Sequence, residues 1–166
     1  MNKKYELTDE TKEIGGITLH RIRALMDISR YGVRAGDIGG WIEAESNLSQ
    51  YGDAWVSDDA RVYGNAWVYG NARVFGDAEV SGNAEVKSIR DYAVFKNGWS
   101  SGRWFTYTRS NRMWRVGCFH GTGEELIAKA YKDSELSGKC YEASVRAQEA
   151  IDRAIDEKEG GKDADE

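Results

Sequence analysis

Two histidines, His20 and His120, and two cysteines, Cys118 and Cys140, are among the residues of this 166-residue chain that could move protons, attack an electrophile or hold a metal. A single positioned histidine is enough for a general base. A catalytic zinc of the carbonic-anhydrase kind needs three, and none lies between residues 21 and 119. The plainer reading of His20 is an outward strand residue, and of His120 a turn residue ahead of a helix. Cys118 falls mid-strand with no partner base, and the two cysteines show neither metal spacing nor a disulfide framework. His120-Gly-Thr-Gly-Glu-Glu125 sets glycines before a helix, where free amides can hold an anion. Glu124 and Glu125 already satisfy that helix dipole and would repel a phosphate, so capping is the expected role. No catalytic residue, metal site or cofactor is expected.

Recognition by stacking and charge is the other chemistry on offer. Trp55, Arg61, Trp67, Tyr69 and Arg73 alternate aromatic and cationic side chains over a short stretch. A planar base could stack on the rings while a phosphate meets a guanidinium. These five are the expected ligand-binding residues. The competing reading is an oligomer interface, with Tyr51, Trp55, Tyr63, Trp67, Tyr69 and Phe75 as one outward aromatic band.

The elements that must position these residues repeat every six positions. Gly52-Asp-Ala-Trp-Val56, Asp58-Asp-Ala-Arg-Val62, Gly64-Asn-Ala-Trp-Val68, Gly70-Asn-Ala-Arg-Val74, Gly76-Asp-Ala-Glu-Val80 and Gly82-Asn-Ala-Glu-Val86 follow one rule, with a weaker lead-in at Ser46–Gln50. A fixed short period predicts a β-solenoid of hexapeptide repeats. Ala and Val sit two apart and so share one face, the interior. The residue between them faces out. Gly, Asn and Asp at the corners tolerate left-handed backbone. Three phrases make one coil of 18 residues, which stacks Trp55 under Arg73, Arg61 under Glu79 and Trp67 under Glu85. Arg61–Glu79 is expected to be an ion pair and Trp55–Arg73 a cation–π contact.

Outside the repeats, residues 1–35 read as an N-terminal β cap, with strands near Lys3–Leu7 and Ile17–Leu25. Residues 36–98 read as the repeat region, and 99–157 as an α+β unit of one hairpin and two helices. Residues 158–166 read as an acidic, unstructured tail. A net charge of -5 argues against nonspecific nucleic-acid binding. No stretch is apolar enough to span a membrane, no signal-peptide pattern opens the chain, and a reducing cytoplasm is the expected setting.

Tyr5-Glu-Leu-Thr, Leu19-His-Arg-Ile-Arg-Ala-Leu25, Gly39-Gly-Trp-Ile42 and the repeats together resemble phage and prophage hexapeptide-repeat proteins. Met113-Trp-Arg-Val-Gly-Cys-Phe-His-Gly-Thr-Gly-Glu-Glu-Leu126 resembles a small phage-type α+β domain. The resemblance implies a mainly β fold built on a left-handed parallel β-helix, homotrimers, and the host cytosol as location. It also implies a non-enzymatic role in host-defence inhibition, by sequestering a small nucleotide or blocking a host protein. A hexapeptide acyltransferase and a structural self-assembly module are the alternatives.

Overall fold

Tyr5–Ile14 (β1) and Ile17–Ala24 (β2) form an antiparallel hairpin. Gly15 and Gly16, with φ of 55° and 82°, make its turn, a backbone that side chains with a Cβ resist. The computed structural model describes residues 2–163. Ile38–Ile42 (β3) pairs antiparallel with β2, His20 opposite Ile42. The hairpin thus runs along an edge that β3 would otherwise leave open.

The repeats supply β4 (Trp55–Val56), β5 (Arg61–Val62), β6 (Trp67–Val68), β7 (Arg73–Val74), β8 (Glu79–Val80) and β9 (Glu85–Val86). β4, β5 and β6 each pair in parallel with the strand 18 residues on: Trp55 with Arg73, Arg61 with Glu79, Trp67 with Glu85. The Ala and Val of every phrase are buried, Val68 at 0% exposure beside Trp67 at 41%. The inward register of these pairs therefore holds. Glycine takes the left-handed corner in five phrases. Asp58 takes it in the other, at φ 57°, and its carboxylate accepts the Gly76 amide at 3.0 Å.

The left-handed parallel β-helix is nevertheless corrected as the description of this chain. The repeat strands are two residues long and fall into separate small sheets. Two of these have two strands each, β4-β7 and β6-β9. The third ladder, β3-β5-β8, is one half of a five-stranded mixed sheet whose other half, β1-β2-β3, is antiparallel. Two-residue strands bring few ladder bonds, so the repeats depend on flanking antiparallel structure to cover their edges and ends.

That cover continues with β10 (Tyr92–Lys96), β11 (Trp104–Thr108), β12 (Met113–Val116) and β13 (Phe119–Thr122), a four-stranded antiparallel sheet in chain order. Two helices follow, α1 (Gly123–Asp133) and α2 (Glu135–Asp163). Thr122 and Glu125 cap α1 reciprocally, as the sequence predicts. Phe105, Tyr107, Trp114, Leu126, Ile127, Ala130, Tyr141 and Val145 make a second core. The helices touch at Gly138, where a Cβ would lie 2.2 Å from the Tyr131 ring. The sheet is tied to the repeats by side-chain acceptors. Thr106 Oγ1 takes the Glu79 amide at 2.9 Å and Ser110 Oγ the Glu85 amide at 2.8 Å. The C-terminal sheet starts at Tyr92, inside the stretch read as repeat. Helix α2 runs through Asp163, across much of the expected tail, and residues 164–166 lie outside the described residues.

Candidate ligand-binding cleft

The five expected binding residues do not form one site. Trp55 is buried at 1% exposure. It packs edge-on against Tyr5, with ring centres 6.5 Å apart, and against Ile22 and the backbone of Gly39, where a Cβ would meet the Trp55 ring at 2.6 Å. The N-terminal hairpin supplies that cover, which repeat spacing alone does not reveal. The Trp55–Arg73 cation–π contact is therefore replaced by others. Arg61 bonds Glu79 at 3.2 Å, the expected ion pair, and is thereby occupied. Tyr63 also leaves the outward band: it is buried with Leu19 and Trp41, and its hydroxyl donates to Glu79.

Trp67 and Tyr69 remain outside and stack on each other at 3.9 Å. The Tyr69 phenol pKa is raised, first by desolvation and then by Glu85. Tyr51 is exposed as well. Tyr51, Trp67 and Tyr69 are not among the residues that line the cleft around Arg73.

Arg73 lies on β7, which ends its two-stranded ladder. The backbone edge there is closed by Tyr92, whose hydroxyl donates to the Arg73 carbonyl at 2.7 Å. The Arg73 guanidinium carbon sits 5.5 Å from the centre of the Tyr31 ring and 5.4 Å from that of Phe75. Its Nε is buried and has no hydrogen-bond partner. Buried polar atoms are normally paired, so this one is set apart from Arg61, which bonds Glu79. Tyr31 is held in place by donating its hydroxyl to the Asn71 carbonyl.

Around this guanidinium opens a cleft of about 590 Å³, with Arg30, Tyr31, Arg73, Phe75, Lys87 and Ile89 among its walls. Arg30, Arg73 and Lys87 enter no ion pair among the described residues. Asp91 stands nearby, but one carboxylate oxygen is taken by the amides of Lys87 and Ser88, both at 2.8 Å. Three cations converging in a chain of net charge -5 make a local positive field suited to an anion. Tyr31 and Phe75 offer flat faces beside it. Arg30, Tyr31 and Lys87 were not legible as site residues. Lys87 directly follows the last repeat strand, β9, and Arg30 and Tyr31 come from a short turn of the N-terminal segment with no repeat pattern.

The candidate chemical residues lie elsewhere. His120 is half-buried against Gly82, and burial, then the Arg115 charge, holds its pKa below the ordinary value. His20 lies on β2, opposite Ile42. Cys118 is exposed and Cys140 partly buried, both as free thiols. Among the described residues no His, Cys, Asp and Glu side chains group as metal ligands, and no helix is long and apolar enough to cross a membrane.

Neither protein-family models nor curated proteins give any match to this chain. The resemblance to phage hexapeptide-repeat proteins, with a phage-type C-terminal domain, is corrected accordingly: it gains no match, and the mixed and antiparallel sheets do not form the left-handed β-helix it implies.

Proposed function

We propose that this protein works by non-catalytic binding of a small anionic ligand carrying a planar ring, in the cleft around Arg73. The observation that carries the proposal is the Arg73 guanidinium, flanked by Tyr31 and Phe75, with its Nε buried and unpartnered and with Arg30 and Lys87 alongside. A phosphate is the natural counter-group for such a fork, because charge-assisted bonds are the stronger kind. A ring stacked beside it would gain cation–π and stacking energy. The acyltransferase alternative would need His20 or His120 as base, and neither lines the cleft.

Self-association, with a trimer preferred, belongs to the same proposal. The exposed Tyr51 and the Trp67–Tyr69 stack are the surface it would use. Light scattering giving a trimer mass supports it, and a monomer at micromolar concentration removes it.

The binding proposal is tested by calorimetry with nucleoside phosphates, cyclic nucleotides and the uncharged parent nucleosides. Heat is expected from phosphorylated compounds only, and Arg73→Ala should weaken their binding at least about tenfold. An absence of heat from the whole panel would overturn the proposal.

A further inference from the structure

The Arg73 cleft does not end at Phe75. A second cavity of about 440 Å³ shares Phe75 and Ile89 with it and adds Asp77, Tyr92, Val94 and Trp104. Phe75, Ile89 and Trp104 are all exposed, at 43%, 57% and 46%. Three large apolar side chains left to solvent around one hollow are a typical ligand or partner surface. The two cavities differ in charge. One end holds Arg30, Arg73 and Lys87. The other holds the Asp77 carboxylate, which makes no hydrogen bond or ion pair among the described residues, and the Lys96 ammonium, 5.5 Å from the centre of the Trp104 ring. The joined groove is therefore directional. An anionic group is drawn to the end with three cations rather than to the end where Asp77 offsets Lys96.

We infer that the ligand is a nucleotide with an amino-bearing base, lying along both cavities. This deepens the binding proposal above and rests on it. The phosphate meets Arg73, with Arg30 and Lys87 close by. The base lies on the apolar shelf against Phe75 and Trp104, where flat contact is favourable for any base. Asp77 gives that end its selectivity. An ionised carboxylate only accepts hydrogen bonds, so it favours a base that presents an N–H₂ group over one that presents a carbonyl at the same place. Adenine fits this rule and hypoxanthine does not. The order of elements matches the chain: β7 carries Arg73, and Phe75 and Asp77 follow it two and four residues on, leading from the cationic to the acidic end.

Three probes separate the parts: inorganic pyrophosphate, adenosine monophosphate and inosine monophosphate, titrated into the full chain by calorimetry. Pyrophosphate should bind the wild type and lose at least about tenfold in affinity with Arg73→Ala. Adenosine monophosphate should bind about tenfold more tightly than inosine monophosphate. Asp77→Asn should bring these two within about threefold of each other, because an amide can donate as well as accept. Trp104→Ala should weaken both nucleotides about tenfold and leave pyrophosphate unchanged. If pyrophosphate binds through Arg73 but the nucleotides gain nothing from Trp104 or Asp77, the two-part ligand is wrong and the anion site stands. If none of the three binds, both fall. A thermal midpoint measured on each variant identifies any loss that comes from unfolding, and Trp104→Phe, which keeps a ring, should restore nucleotide binding.

Discussion

Tyr31 and Arg73 come from opposite sides of the repeat boundary and meet face to charge, with the guanidinium carbon 5.5 Å from the ring centre. Tyr31 belongs to a short turn of the N-terminal segment, Ser29–Tyr31, and Arg73 to β7. The contact gives the repeats a cationic and aromatic edge that neither segment has alone. It also predicts that Tyr31→Ala lowers ligand affinity by several-fold while Tyr31→Phe, which keeps the π face but loses the bond to Asn71, lowers it less. Equal losses in the two variants would place the contribution in the hydroxyl instead.

The two repeat tryptophans should differ sharply in cost. Trp55→Ala empties a closed site between Tyr5, Ile22 and Gly39 and should destabilise by about 3–5 kcal/mol in chemical denaturation. Trp67→Ala removes an exposed ring stacked on Tyr69 and should cost about 1 kcal/mol or less. The reverse order would mean that the hairpin does not cover Trp55.

Much of this contrast lies beyond the reach of the repeat itself. The six-residue spacing correctly paired Trp55 with Arg73, Arg61 with Glu79 and Trp67 with Glu85, because inward Ala and Val leave little freedom in register. It could not say which outward residues meet solvent. Trp55 and Tyr63 are outward with respect to their own strands and are then buried by β1, β2 and β3, a long-range event with no local signal. For the same reason, the overall architecture departs from the one that the repeat predicts. Antiparallel strands, which do not share the six-residue period, outnumber and outlast the two-residue repeat strands. Of the candidate site, Arg73 was legible from its place between aromatic neighbours, whereas Arg30 and Tyr31 were not.

Asp58 offers a test of the corner geometry. Asp58→Ala keeps the left-handed backbone and removes the acceptor for the Gly76 amide, so it should destabilise by about 2 kcal/mol. Asp58→Gly loses the same acceptor but relieves the backbone, and should fall within about 1 kcal/mol of the wild type. Two equally destabilised variants would show that the strain contributes nothing.

Alkaline stability should pass through a maximum. Lys4 donates to the carbonyls of Tyr51, Gly52 and Ala54, and burial lowers its pKa from 10.5 to about 8. The unfolded chain then holds more protons between those values, so this group makes stability rise with pH from about 8 to 10.5. Tyr63 and Tyr92 are raised from 10.0 to about 12, in both cases mainly by desolvation. Their contribution is full below pH 10 and is lost as pH climbs through 12. Thermal midpoints should therefore rise above pH 8 and fall above pH 10, and Lys4→Met should abolish the rise. A steady decline from pH 8 in the wild type would contradict this.

Arg73, rather than Arg61 at the same place in its own phrase, is the proposed anchor of the ligand. The most direct test is calorimetric titration of adenosine monophosphate into wild type, Arg73→Ala and Arg61→Ala at low salt. Arg61 is already bonded to Glu79, so Arg61→Ala should keep wild-type affinity within about threefold. Arg73→Ala should lose about tenfold or more, in line with removal of a charge-assisted bond. Unchanged binding in Arg73→Ala, or a loss confined to Arg61→Ala, would contradict the assignment of the cleft.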